Sequence, residues 1–262
     1  MARILAVVNQ KGGVAKTTTS VNLAASLVQM ERRVLLVDLD PQGNATMGSG
    51  VEKNQLSHSV YMVLLGQCEI EKAKQRSPTG KFDVLPANRE LAGAEVELVE
   101  LQQRESRLKA ALLVIEANYD FVIIDCPPAL NLLTVNALTA AQAVVIPMQC
   151  EYYALEGLSD LVLTLKKVRA HLNPVLEIEG LLRTMFDPRN SLAQQVSAQL
   201  EQHFGAKVFR TVIPRNIRLA EAPSYGKPVM YHDPGSKGAQ AYQAFAAELL
   251  ERTEIKIKDT VT

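Results

Sequence analysis

Apolar residues are gathered into short blocks along this chain. Seven runs stand out: RILAVV (3–8), RVLLVD (33–38), KFDVLP (81–86), FVIIDCP (121–127), AVVIPM (143–148), EGLLRTMF (179–186) and KVFRTVIP (207–214). Several are apolar at every position, the pattern of parallel strands covered on both faces. Between the runs, helical periodicity predicts helices near 17–30, 93–117, 130–141, 154–171, 191–204 and 237–251. Strand and helix alternate from end to end. The pattern therefore predicts an α/β fold, a doubly wound and mostly parallel sheet with helices on both faces, in one domain over residues 1–253. The stretch 43–80 is the least regular and is expected to hold loops and short helices. The tail 254–262, EIKIKDTVT, is expected to be disordered.

Composition narrows the function classes. The 262 residues carry 28 Lys+Arg against 28 Asp+Glu, so any nucleic-acid or membrane binding needs a local patch. Cys68, Cys126 and Cys150 are far apart with no C-x-x-C pair, which suits buried thiols in a reducing compartment better than a disulfide frame or a cluster site. The opening residues lack the basic, apolar and small-residue regions of a signal peptide, and no apolar run approaches the ~18 residues of a membrane span. A cytoplasmic protein is expected.

The first candidate chemistry lies at VVNQKGGVAKTTTS (7–20), between a predicted strand and a predicted helix. A phosphate-binding loop reads G-x-x-x-x-G-K-[S/T]; here Gln10 and Ala15 occupy the two glycine positions. Gly12 and Gly13 let the backbone turn sharply, so that N–H groups along Gly12, Gly13, Val14, Ala15 and the helix start through Thr18 converge on one anion. Lys16 is placed to neutralise β- and γ-phosphate oxygens, and the Thr17 hydroxyl to ligate Mg²⁺. A glycine turn with solvated lysines is the plainer alternative. Lys-Thr-Thr at a strand–helix junction argues against it. No G-x-G-x-x-G occurs here, so a dinucleotide site is not supported. Asp38 and Asp40 close the second run, and Asp125 closes the apolar stretch FVIID. Ligand sites in open α/β sheets lie off the carboxyl ends of strands, so these acids should face the loop. Simple turn formation is the competing reading for each.

KGGVAKTT resembles the deviant Walker A motif, K-G-G-x-x-K-[S/T], of the ParA/MinD ATPases, and the likeness runs over about residues 2–250. The resemblance implies a P-loop ATPase with ATP and Mg²⁺ as cofactors and slow, partner-stimulated hydrolysis. In that family the front lysine, here Lys11, reaches the nucleotide of a partner subunit, so an ATP-bound homodimer is implied. Gly12 would permit the close approach of the two loops. Asp40 would position the attacking water, Asp38 would help hold the Mg²⁺ hydration shell, and Asp125 would serve as the Walker B acid. Ala15 departs from the usual glycine and is expected to be tolerated only with φ below zero.

RTVIPRNIRLAEAPSYGKP (210–228) resembles the family's C-terminal segment, in which Pro214 and Asn216 would frame the adenine. From 183 to 218 six basic residues (Arg183, Arg189, Lys207, Arg210, Arg215, Arg218) stand against two acidic ones. Arg189 and Arg218, with Arg215 beside them, match residues through which Soj-type members bind double-stranded DNA without sequence preference. A ParB-like activator and a nucleoid location follow from the same resemblance. A ParA-like ATPase that positions a protein cargo is the nearest alternative. A MinD-like membrane regulator is further off, because 238–252 reads as a docked helix and the tail is a poor interfacial anchor. An iron–sulfur relative lacks its paired cysteines. The loop starts at residue 10, without space ahead of it for the helix-turn-helix of larger plasmid-type relatives, so sequence-specific repression is not expected.

Overall fold

The structure is a computed structural model that describes residues 2–261, with side chains described through Thr253. One sheet holds β1 (Arg3–Val7), β2 (Val34–Asp38), β3 (Gln75–Arg76), β4 (Asp83–Leu85), β5 (Phe121–Asp125), β6 (Ala143–Met148), β7 (Glu177–Phe186) and β8 (Val208–Pro214). Their order is β3-β4-β2-β5-β1-β6-β7-β8, parallel throughout except for the β3–β4 pair. This is the expected doubly wound α/β sheet.

Alternation explains why the strands are apolar throughout. Along β1, Ile4 and Ala6 enter one core while Leu5 and Val7 enter the other, and β2, β5 and β6 divide in the same way. The helices Lys16–Gln29 and Lys237–Val261 cover one face. On the other lie Leu91–Glu97, Arg107–Leu113, Leu132–Ala140, Ala154–His171 and Ser191–Phe204. Each apolar residue is therefore removed from water whichever way it points, a stabilisation of about 1.5–3 kcal/mol for a large side chain.

Each of the seven expected runs contains a strand. β3 adds an eighth, too short and too exposed to show a pattern. The helix expected over 93–117 is broken between Glu100 and Arg107, where Gln103 takes a φ of 53°. Short helices Asn44–Gly48, Val60–Leu65 and Ile70–Ala73 occupy the irregular stretch. The disorder expected for 254–262 falls on residues outside those described with side chains. Among the described residues no helix is long and apolar enough to cross a membrane.

Candidate nucleotide site

The carboxyl ends of β1, β2 and β5 meet at one edge of the sheet. Val7 and Asp38 both pair in register with Asp125, so the loop after β1 is flanked by the two strand-end acids. That loop runs into the helix Lys16–Gln29, whose N-terminal N–H groups point back into the site. The Thr184 hydroxyl donates to the Val14 carbonyl at 3.0 Å and ties the loop to β7.

Gly13 takes a φ of 74°, as the sharp turn requires. Ala15 takes a φ of 68° and a ψ of 32°, which corrects the expectation that it would keep φ below zero. It caps the helix in the left-handed region, a conformation that costs an L-residue about 1–2 kcal/mol. The loop holds it there because the turn into the helix must aim successive N–H groups at one point. Replacing Ala15 by glycine removes the steric cost. Ala15→Gly is expected to raise unfolding stability by about 1 kcal/mol in chemical denaturation, and unchanged or lower stability would count against a strained loop.

Lys16 is buried, and its ammonium donates to the Lys11 carbonyl at 3.1 Å. Burial lowers its pKa, opposed by the charge of Asp125. The Thr17 hydroxyl donates to Asp125 Oδ2 at 2.8 Å, and Ser20 Oγ stands 2.8 Å from Asp125 Oδ1. Asp38 is fully buried and accepts from the Thr46 backbone N–H at 2.8 Å, the Thr46 hydroxyl at 2.7 Å and the Asp40 N–H at 3.1 Å. It thereby pins the short helix Asn44–Gly48 and presents Asp40, whose carboxylate accepts from Gln42 N–H at 2.9 Å. Ser20 and Thr46 join the site on Asp125 and Asp38, outside the residues that the sequence marks. Ser20 lies one turn beyond Lys16 on the same helix, a spacing that could have flagged it.

Burial pushes the Asp38 carboxyl up to about 6 and the Asp125 carboxyl up to about 7, the latter also repelled by Asp38. Two buried acids beside a threonine hydroxyl form an all-oxygen donor set suited to a hard divalent cation that keeps other ligands from phosphate and water. No cluster of three or more His, Cys, Asp or Glu able to hold a metal occurs among the described residues, so such an ion needs those other ligands. The raised values also carry a stability sign. The folded protein holds protons that the unfolded chain has released, so the stabilisation is full below the ordinary carboxylate pKa and is lost as pH rises through about 6 and 7. Metal-free protein should therefore melt at a lower temperature at pH 8 than at pH 5.5 in a buffered thermal scan. A rise over that range would contradict the assignment.

A cavity of about 630 Å³ opens above this layer, large enough for a nucleotide. Gly12, Gly13, Ala15, Lys16, Thr17, Thr18 and Asp40 form one wall, with Pro214, Arg215 and Asn216 opposite them. Asp38 and Asp125 lie behind the wall. Asn216 Oδ1 caps the helix Ile217–Glu221 through the Arg218 N–H at 3.0 Å, so it is a helix cap and a cavity residue at once. Lys11 precedes Gly12 of that wall in the chain, half-exposed and ion-paired with Glu151.

The basic cluster is divided. Phe186 pairs with Pro214 in register, which brings Asp187–Arg189 beside Arg215. Arg189 is 88% exposed and pairs with Asp187 at 2.9 Å. Asp187 is held down at about 2 by its bonds to Arg189, with Arg215 adding to the effect. Arg218 is half-exposed and pairs with Glu221 at 2.8 Å and Asp233 at 3.2 Å. Arg183 drops out of the patch: it is buried, bonded to Ser197 Oγ and the Phe209 carbonyl at 2.7 Å each and ion-paired with Glu201. Lys207 precedes β8 at the far end of the sheet, and Arg210 is tied to Glu248 and Glu251 of the terminal helix. The excess of charge counted along the sequence is therefore not one surface.

A mostly parallel sheet, a glycine turn into a helix, a Lys-Thr pair at the helix start and strand-end acids define a P-loop nucleotide-binding protein. A family model described as an AAA domain matches residues 2–178. The sporulation initiation inhibitor protein Soj of Bacillus subtilis is 54% identical, over 95% of this chain and 98% of its own. The chromosome partitioning protein ParA of Caulobacter vibrioides is 50% identical, over 95% and 94%. A crystal structure of cobyrinic acid a,c-diamide synthase from Mycobacterium smegmatis, with bound ADP and magnesium, superposes with a TM-score of 0.85 at 42% identity, covering 97% of this chain and 96% of that one. The chain belongs to the Soj/ParA family of chromosome partitioning ATPases.

Proposed function

We propose that this chain is an ATP-dependent switch that dimerises on ATP, binds double-stranded DNA without sequence preference in that state, and is released when a ParB-like partner stimulates hydrolysis. The observation that carries the reading is the cavity joining the phosphate loop to Pro214 and Asn216, with Lys11 preceding Gly12 of its wall, Arg215 in its lining, and Arg189 and Arg218 nearby. The chain's own groups divide the work. Backbone N–H groups of residues 12–18 and the Lys16 ammonium bind the phosphates. Pro214 packs against the base, and the Asn216 amide donates to it. Thr17 and Asp125 would hold Mg²⁺, and Asp38 would help hold its hydration shell. The ion would supply charge neutralisation on the transferring phosphoryl group. Asp40, presented to the cavity by Asp38 and Thr46, orients the attacking water.

Lys11 completes the site of a second chain, as a cation supplied in trans. Gly12 supports this: its φ is not positive, and a Cβ there would meet nothing within 4 Å among the described residues. Its own chain does not require a glycine, whereas a close approach by a partner loop does. Phosphoryl transfer needs placement and charge more than covalent chemistry, and the strongest base near the cavity is a carboxylate. Slow turnover suited to timing follows. In a dimer the two basic faces double the phosphate contacts, which couples ATP to DNA affinity and places the protein on the nucleoid in the cytoplasm. A membrane-surface role is not favoured, because the terminal helix commits Tyr242, Phe245 and Leu249 to the core. The partition cargo is supported by the names of the relatives, over a protein cargo carried by the same switch.

The test is Asp40→Ala. The variant should bind ATP and accumulate as a dimer, because assembly precedes the step that Asp40 serves. Sedimentation showing only single chains at saturating ATP would contradict the reading.

A further inference from the structure

Lys11 is restrained in its own chain at three atoms. Its N–H donates to Asn9 Oδ1 at 2.9 Å, and Asn9 Nδ2 in turn donates to the Pro147 carbonyl at 2.8 Å. Its carbonyl accepts from the Lys16 ammonium at 3.1 Å. Its side-chain ammonium is ion-paired with Glu151. Glu151 is itself anchored: its N–H donates to the Gln149 carbonyl at 3.0 Å, and its carbonyl accepts from the Ala154 N–H at 3.0 Å, at the mouth of the helix Ala154–His171. A carboxylate on an anchored backbone therefore competes for the one cation that the proposed dimer needs elsewhere.

We infer that Glu151 is a positioning residue that holds Lys11 at home and sets how much ATP is needed for two chains to assemble. This rests on the ATP-gated dimer proposed above. The Lys16 contact supplies the link to nucleotide. Phosphate binding draws the Lys16 ammonium away from the Lys11 carbonyl, because a charged oxygen is the stronger acceptor. The loop residue is then held only by Asn9 and by Glu151. Both partners of the Lys11–Glu151 pair are about half-exposed, 46% and 52%, which makes the pair weak enough to exchange for phosphate. An exposed pair of this kind corresponds to a factor of about 2 to 5 in an equilibrium. Dimer formation opens two of them, so their joint effect on the association constant is about 4- to 25-fold.

The experiment is sedimentation velocity on the full chain, wild type and Glu151→Gln, titrated with a non-hydrolysable ATP analogue and Mg²⁺ at low and high salt. Wild type should dimerise with the analogue. Glu151→Gln should do so with an association constant about 4- to 25-fold higher at low salt, and the gap should close at high salt as screening weakens the pair. Lys11→Ala and the Lys11→Ala/Glu151→Gln double variant should remain equally monomeric. A purely structural role for Glu151 would change thermal stability without this salt-dependent gain. Equal or weaker dimerisation of Glu151→Gln, beside a wild type that dimerises, overturns the inference and leaves the proposed function standing. A wild type that stays monomeric overturns both.

Discussion

Lys16→Ala should bind ATP at least about 100-fold more weakly than the unaltered chain. The Lys16 ammonium is buried at the mouth of the phosphate loop, where its nearest acceptor is a backbone carbonyl at 3.1 Å. Burial works against its charge, so the site carries a cation at some cost to the folded protein. A phosphate group turns that cost into binding, since hydrogen bonds between charged partners contribute about 1.5–3 kcal/mol each. Losing two of them, about 3–6 kcal/mol together, corresponds to the stated fall. The fold should survive, because removing the side chain also removes a buried charge and one bond. Titration calorimetry with an unchanged melting temperature checks the result, and retained affinity would show that the loop does not hold phosphate.

The second large effect concerns DNA. Arg189→Ala combined with Arg218→Ala should keep ATP binding and lose most duplex affinity. Each phosphate contact contributes about 0.9 to the slope of log affinity against log salt. Two arginines on each of two chains make four contacts, so the slope should flatten by about 3 to 4. Both arginines rest on carboxylates in this structure, Arg189 on Asp187 and Arg218 on Glu221 and Asp233, so DNA phosphate must replace acids that already satisfy them. That exchange is one reason a single chain should bind poorly and a paired one well. An unchanged salt slope in the double variant would move the interface elsewhere.

Much of the fold was legible because its determinants are local and repeated. Parallel strands covered on both faces must be apolar throughout, and the runs ending in Asp38, Asp125 and Pro214 announced both the sheet and the edge where the loop would lie. What escaped notice depends on contacts distant in sequence. β3 is two exposed polar residues whose strand character comes only from pairing with β4. The break in 93–117 turns on the left-handed Gln103, which carries no glycine or proline to mark it. Arg183 counted as a surface charge, but its environment is made by Ser197, Glu201 and Phe209. Ala15 by its intrinsic preference avoids positive φ, and the demands of the loop override that preference. Thr46 and Glu151 had no local signal, since their partners Asp38 and Lys11 lie 8 and 140 residues away.

The central claim is that occupancy by ATP, as opposed to ADP, governs assembly and thereby DNA affinity. Titration of a labelled duplex of arbitrary sequence with the full chain, in ATP with Mg²⁺, in ADP with Mg²⁺ and without nucleotide, reads that claim at one stroke. Tight, cooperative, salt-sensitive binding confined to ATP is the expected outcome. Three superimposable curves would mean that the γ-phosphate does not control the surface, and the switch would have no basis.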